Sequence, residues 1–342
     1  MGRKKKVRTR LKEIDFVRVA VLTALFGVII LAVLSPQTLE KIEEEYGFSI
    51  SNYIDYKSDD TKVNANENKV NVVTENKDEL KIEKDKLNIF YFDVGQADST
   101  LIVHGDDTIL IDAGNVSDGD ELVKGIKGLG IKELDIVIGT HAHEDHLGGM
   151  NKIVDAFEIG KYYMPYNESS TTSYYKKLLT ALDENDMGIE EAVVGDKILN
   201  NENLSLEILH VDHEEPEDVN DASIVALLEY KDLTYLFMGD STKVVEEKRN
   251  WPDVDVLKVG HHGSNTSSSK DFIAAVKPEI SIISVGKENS YGLPKDTIIN
   301  RLKKAESNIY RTDRHGTIQL VSDGKENVIY EIPVEFNGSE DE

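Results

Sequence analysis

Hydrophobic and polar positions along this chain fall into two regimes that meet near residue 87. Before that point the long apolar stretch covers residues 16–34 and is interrupted only by Arg18 near its start. About 20 apolar residues span a bilayer, so the pattern predicts a transmembrane helix over 14–35. Residues 1–13 supply Arg3, Lys4, Lys5, Lys6, Arg8, Arg10 and Lys12. Such a basic flank stays cytoplasmic and would place everything after Ser35 on the outer side of the cell membrane. A cleaved signal peptide ending near Val33-Leu34-Ser35 is the competing expectation; the run exceeds the ~7–15 residues of a signal core, which favours an uncleaved anchor. Residues 36–86 read as a polar linker: after a helix continuing over 37–46, they are rich in Asn, Asp, Glu, Lys and Ser with only isolated valines and isoleucines.

From Leu87 onward short β-type runs alternate with helical periods. Strands are predicted over 88–94, 100–104, 108–112, 134–139, 161–164, 204–209, 223–230, 233–238, 255–259, 280–285, 317–321 and 328–332. Helices are predicted over 119–129, 150–157, 173–184, 243–249, 270–276 and 296–304. The pattern is that of one α/β domain over 87–336, followed by an acidic tail over 337–342. One plan occurs twice: a strand ending Asp112-Ala113-Gly114, a helix and a strand leading to His141 and His143, then a strand ending Gly239-Asp240, a helix and a strand leading to His261 and His262. Two half-domains with facing strand ends would bring both histidine clusters and Asp240 to a common edge.

That plan matters because of Thr140-His141-Ala142-His143-Glu144-Asp145-His146, which follows the apolar run over 134–139. Imidazole nitrogen and carboxylate oxygen together suit zinc and similar divalent ions. His141 and His143 can close on one ion. Asp145 and His146 suit a second, because four ligands within six residues cannot reach one tetrahedral centre without strain. A turn that is merely polar is the plain alternative, but this one follows a buried-looking strand, and Gly148-Gly149 lets a helix start close by. The sequence holds no cysteine, so thiolate ligands and cysteine nucleophiles drop out. Net charge is -25, and because residues 1–34 carry +6 the remainder carries -31. A surface of that sign repels phosphate backbones, and no basic stripe appears in the globular part.

The motifs resemble, in order, those of the metallo-β-lactamase-fold hydrolase domain of ComEC-type competence proteins. Phe92-Asp93-Val94-Gly95-Gln96-Ala97-Asp98-Ser99 resembles the family's FxDVGQGDS opening, with Ala97 in place of glycine. Leu110-Ile111-Asp112-Ala113-Gly114, the HxHxDH turn, Met238-Gly239-Asp240, Leu257-Lys258-Val259-Gly260-His261-His262-Gly263-Ser264, Ser284-Val285-Gly286 with Asn289, Tyr291-Gly292 and Arg311-Thr312-Asp313-Arg314 follow. The resemblance implies a four-layer αββα sandwich holding two divalent ions, zinc or manganese, here as a free-standing relative tethered by the N-terminal helix. It puts His141 and His143 on the first metal, Asp145, His146 and His262 on the second, and Asp240 between them. His261 would stand beside the leaving group or a substrate phosphate, with the roles within the His261-His262 pair interchangeable. Asp145 and Asp240 would orient the attacking water. Asp98 and Asp112 would accept the outer N–H of a ligating histidine, a role that stands beside the alternative of capping a turn.

Two departures bear on this pattern. Where the family has a third histidine for the first metal, this chain has Asn220-Asp221-Ala222-Ser223, which leaves Asp221 or Asn220 as substitutes and His210 as another candidate. Where relatives read YGHP, Leu293 stands in Tyr291-Gly292-Leu293-Pro294, so His261, Tyr291 or Lys295 would replace the missing imidazole. Ser264 and Tyr291 are candidate substrate contacts, the former alternatively a cap in a serine-rich helix start. The expected function is a metal-dependent phosphodiesterase or nuclease outside the membrane. An esterase acting on a phosphorylcholine- or teichoic-acid-type envelope polymer is the alternative, and a metal-bound inactive binding module a third. No protein partner is inferred.

Overall fold

The structure is a computed structural model and describes residues 73–76, 79–165, 170–214, 216–336 and 338. The apolar segment over 14–35, its basic flank, most of the linker and the acidic tail apart from Gly338 lie outside the described residues. Among the described residues no helix is long and apolar enough to cross a membrane.

In chain order the strands are β1 (Val73–Asn76), β2 (Leu87–Tyr91), β3 (Thr100–His104), β4 (Asp107–Ile111), β5 (Glu133–Ile138), β6 (Glu158–Tyr163), β7 (Ile189–Glu190) and β8 (Lys197–Asn200). They continue as β9 (Leu204–His210), β10 (Val225–Tyr230), β11 (Leu233–Phe237), β12 (Val256–Lys258), β13 (Ile280–Ile283), β14 (Asn308–Arg311), β15 (Thr317–Ser322) and β16 (Asn327–Ile332). The helices are α1 (Gly119–Gly128), α2 (Glu144–Leu147), α3 (Met150–Ala156), α4 (Ser173–Glu184), α5 (Lys243–Glu246), α6 (Lys270–Val276), α7 (Asp296–Lys304) and α8 (Thr312–His315). One sheet runs β1-β16-β15-β2-β3-β4-β5-β6-β7 and the other β14-β13-β12-β11-β10-β9-β8.

The layering follows from the two-residue period of a strand. On β2, Leu87, Ile89 and Tyr91 face the second sheet and pack with Leu206, Ile208, Leu228, Tyr235 and Phe237. Phe90 and Phe92 face the other way and pack with Leu122, Ile126, Met150, Ile153 and Leu178 of α1, α3 and α4. A third core joins Leu236 and Leu257 of the second sheet to Phe272, Ile273, Ile298 and Leu302 of α6 and α7. Helices therefore cover both outer faces of two stacked sheets, the expected αββα order. Strands buried on both faces read as continuous apolar runs, which is why they were plain in the sequence.

The repeated plan is present down to its hydrogen bonds. β4 and β5 pair in parallel with Ile109 opposite Ile136, and β11 and β12 do so with Tyr235 opposite Val256. The residue before each partner makes the same clamp: Asp135 Oδ2 accepts from the amide and hydroxyl of Thr108, both at 2.8 Å. Asp255 Oδ2 accepts from those of Thr234 at 2.7 and 2.9 Å. In this register His141 and His261 occupy equivalent positions beyond their strands.

Some short elements escaped the sequence pattern. β7, β8 and β14 are two to four residues long and partly exposed, so they lack a detectable period. Within the stretch read as linker, β1 pairs in parallel with β16, and Leu80 and Ile82 pack against the domain. The reason lies in two buried amides: Asn88 Nδ2 donates to Glu83 O at 2.9 Å and Gln319 Nε2 to Lys81 O at 2.7 Å, which fastens this segment to β2 and β15. Tyr91 and Phe237 stack between the sheets at 6.4 Å. Phe237→Ala is expected to cost about 3–5 kcal/mol, read as a lower midpoint in urea unfolding with an unchanged slope; a loss under about 1 kcal/mol would contradict the packing described.

Candidate metal centre

The HxHxDH turn is fixed by its neighbours before any ion is considered. Past β5, His143 stands at the first position before the short helix α2, and the backbone of the turn is stapled to the loop after β4 by Ala113 N–H to His146 O at 2.8 Å. The approach is so close that a Cβ at Gly148 would lie 2.3 Å from Val116 N and one at Gly149 2.4 Å from Ala113 O. Glycine is required at both.

Second partners then set each ring. Asp112, itself at φ 61°, accepts from the Thr140 amide and hydroxyl, each at 2.8 Å. Its Oδ2 also lies 2.7 Å from His146 Nδ1. As a carboxylate oxygen, Asp112 Oδ2 accepts, so His146 donates through Nδ1 and its Nε2 faces inward toward Asp240. His262 Nδ1 likewise donates to Ser284 O at 3.0 Å, and His141 Nδ1 contacts Thr140 Oγ1 at 3.1 Å. His141 Nε2 and His143 Nδ1 converge at 3.0 Å. His261 and His262 sit at φ 49° and 51°, two successive non-glycine residues in the left-handed region. Such backbone costs of order 1–3 kcal/mol per residue, and here it swings both rings toward Asp240.

Asp240 is the meeting point. Its Oδ1 lies 3.3 Å from His146 Nε2, and its Oδ2 lies 3.6 Å from His262 Nε2, 3.8 Å from His261 Nε2 and 4.0 Å from His141 Nε2. Asp145 Oδ2 is 3.2 Å from His262 Nε2. The ligand atoms of Asp98, His146, Asp240 and His262 all lie within 4.8 Å of one another, and all four residues are buried. Apart from each other, His146 Nε2 and Asp240 Oδ1 have no hydrogen-bond partner among the described residues. Buried atoms of this kind are costly unless something engages them.

The electrostatics call for positive charge. Burial alone would push the Asp240 carboxyl up, but His146 and His262 hold it well below the usual carboxylate range. Asp145 is lowered too, against burial, by His146 and His262. Burial would lower His146 and His262, yet Asp240 and the other carboxylates win: His146 is raised well above its ordinary value and His262 is pushed up to about 9. Burial and His146 drive His141 well below its usual value, so its lone pair is free. Inward-facing imidazole nitrogens, carboxylates and a site that stabilises cations fit divalent metal.

Not every expected residue joins the cluster as expected. Asp98 does not receive an imidazole N–H: its carboxylate is paired with Lys258, at 2.7 Å from Oδ1 and 2.8 Å from Oδ2. Asp221 Oδ1 accepts from the Thr242 hydroxyl at 2.6 Å and its backbone carbonyl lies 2.9 Å from His210 Nε2. His261 is half-buried, with Nδ1 2.8 Å from Thr266 Oγ1, whereas His262 is buried. Ser264 Oγ takes the Thr266 hydroxyl at 3.0 Å. Tyr291 is 67% exposed on the wall of a 1270 Å³ cavity that reaches Asp145. Leu293 packs against the third core. Thr140 and Lys258 were missed as participants; the signal for Lys258 was a lysine inside the apolar run Val256-Leu257-Lys258-Val259.

A model of the metallo-beta-lactamase superfamily matches residues 92–287, which span the turn, Asp240 and His262. The chain belongs to that superfamily. It is 32% identical over 249 residues to ComE operon protein 3 of Bacillus subtilis, covering 66% of this chain and 32% of that protein. It is 28% identical over 235 residues to Recombination protein 2 of Haemophilus influenzae, covering 67% and 28%, and 25% identical over 245 residues to Competence protein ComA of Neisseria gonorrhoeae, covering 70% and 33%. The chain thus spans about a third or less of the length of these relatives. It is a metal-dependent hydrolase of the metallo-β-lactamase fold, related to competence proteins.

For such a centre the raised histidines make metal binding compete with protons. A protonated His262 has no lone pair at Nε2, and its value of about 9 means that an ion displaces a proton at neutral pH. Metal affinity of the stripped protein, measured by calorimetry, should rise by about tenfold per pH unit for each proton displaced between about pH 6 and pH 9, then flatten. An affinity independent of pH over that range would contradict the electrostatics.

Proposed function

We propose that this chain is a dinuclear phosphodiesterase of the ComEC-like type, working on the outer side of the membrane that its N-terminal segment would tether it to. The observation that supports the reading is that the Asp240 carboxylate lies within 4.0 Å of His141, His146, His261 and His262, while His143 meets His141 and Asp145 meets His262. Two ions held by those groups, zinc or manganese, would supply an activated water at neutral pH and positive charge against the phosphoryl oxygens. The chain's own residues do the rest. Asp112, Ser284 and Thr140 fix the ring orientations of His146, His262 and His141. Asp145 and Asp240 would supply the negative charge to hold the ions and would orient the attacking oxygen. His261, half-buried and held by Thr266, would give a proton to the leaving oxygen.

One observation favours a second substrate class. The cavity beside Asp145 is lined by the carboxylates of Asp120, Glu121, Glu144 and Glu335, against Lys152. That field opposes a polyanion and favours an envelope phosphoester with a cationic headgroup. Turnover of bis(p-nitrophenyl) phosphate by the metal-loaded protein should fall to background in His143→Ala and Asp240→Ala; unchanged turnover rejects the reading. Parallel assays on single-stranded DNA and on phosphorylcholine esters separate the two classes.

A further inference from the structure

Below the centre, Lys258 of β12 in one sheet meets Asp98 from the loop leading to β3 of the other, with its ammonium within 2.7–2.8 Å of both carboxylate oxygens. Both residues are 4% exposed. Asp98 also lies close enough to His146, Asp240 and His262 to act as a further donor with them. Its backbone is locked to the same turn, donating to Asp145 O at 3.0 Å and accepting from Gly114 N–H at 2.9 Å. Lys258 therefore takes up a carboxylate that already faces the donor set. A buried ion pair is a poor source of stability, and a methionine or leucine would pack in β12 without the cost of desolvating an ammonium. The place where that cost is borne points to the charge of the centre rather than to the core.

We infer that Lys258 sets the charge and ligand count of the centre by pairing with Asp98, donating to Oδ2 and standing against Oδ1, so that this carboxylate neither ligates an ion nor adds its charge to those of Asp145 and Asp240. This rests on the metal-centre reading proposed above. The pair works only as a pair. Asp98 without Lys258 becomes an extra hard oxygen donor, which strengthens binding and shifts preference toward manganese. Lys258 without Asp98 leaves an ammonium facing dications through a poorly screened interior, which weakens binding. The two single substitutions should therefore act with opposite sign, whereas a pair that only props up the fold would weaken binding in both.

The test uses the full chain stripped with chelator and titrated with Mn²⁺ at fixed pH and ionic strength, with free Mn²⁺ read by electron paramagnetic resonance. Lys258→Met should tighten Mn²⁺ binding by about tenfold or more and Asp98→Asn should weaken it by a similar factor. The double variant should return to within about threefold of wild type. Weakening in both single variants, or no change in either, overturns the inference. If Lys258→Met does not fold when stripped, the circular dichroism of the variant with Mn²⁺ replaces the isotherm: recovery of the folded spectrum supports the role, and none overturns it. A wild-type chain that binds no Mn²⁺ overturns the metal-centre reading and this inference with it. A wild-type chain that binds, with variants that do not diverge, overturns only the role of Lys258.

Discussion

The centre depends on keeping the Asp240 carboxylate ionised in the interior, within reach of imidazoles from both halves of the domain. A lone buried carboxylate would take up a proton, because desolvation penalises the charged form. Here His146 and His262 outweigh that penalty and hold Asp240 in the anionic state. The two histidines reach it from different sheets. His146 follows β5 in the first sheet, whereas Asp240 and His262 follow β11 and β12 in the second. The sandwich is what brings these strand ends together, and the matching threonine and aspartate clamps on β4–β5 and β11–β12 show the same scaffold used twice to do it.

Strain and burial are concentrated at the same place. Asp112, His261 and His262 all occupy the left-handed backbone region. Buried ionic groups from both halves converge below and around them, with Lys258 and Asp98 forming one ion pair across the sandwich. Unfavourable local choices of this kind persist only where surrounding packing over-determines them. Three continuous cores supply that packing, and the loops that carry the chemistry are held from below by β5, β11 and β12.

Much of this was legible in the sequence, and the reasons are specific. Central strands such as β2 and β13 are buried on both faces and announce themselves as largely apolar runs. The HxHxDH turn, Asp240 and His262 were identified by donor chemistry and by family resemblance, and they converge. Edge strands β1, β7, β8 and β14 were not legible, because short ladders closed by backbone bonds leave little apolar period. The partner of Asp98 was not legible either. Loop spacing shows that an aspartate is near a site, but only the register of β12 against β11 and β13 aims the Lys258 side chain at it. Asp221 is a different case: its place in the sequence order suggested a ligand, and in the fold its Oδ1 accepts from the hydroxyl of Thr242.

The central claim is that Asp240 is shared by two metal positions, and anomalous diffraction from crystals of the chain grown with Mn²⁺ tests it most directly. Two anomalous peaks roughly 3.5–4 Å apart are expected, one beside His141 and His143, the other beside Asp145, His146 and His262, with the Asp240 carboxylate between them. A single peak that leaves one histidine group empty, or peaks remote from Asp240, would contradict it.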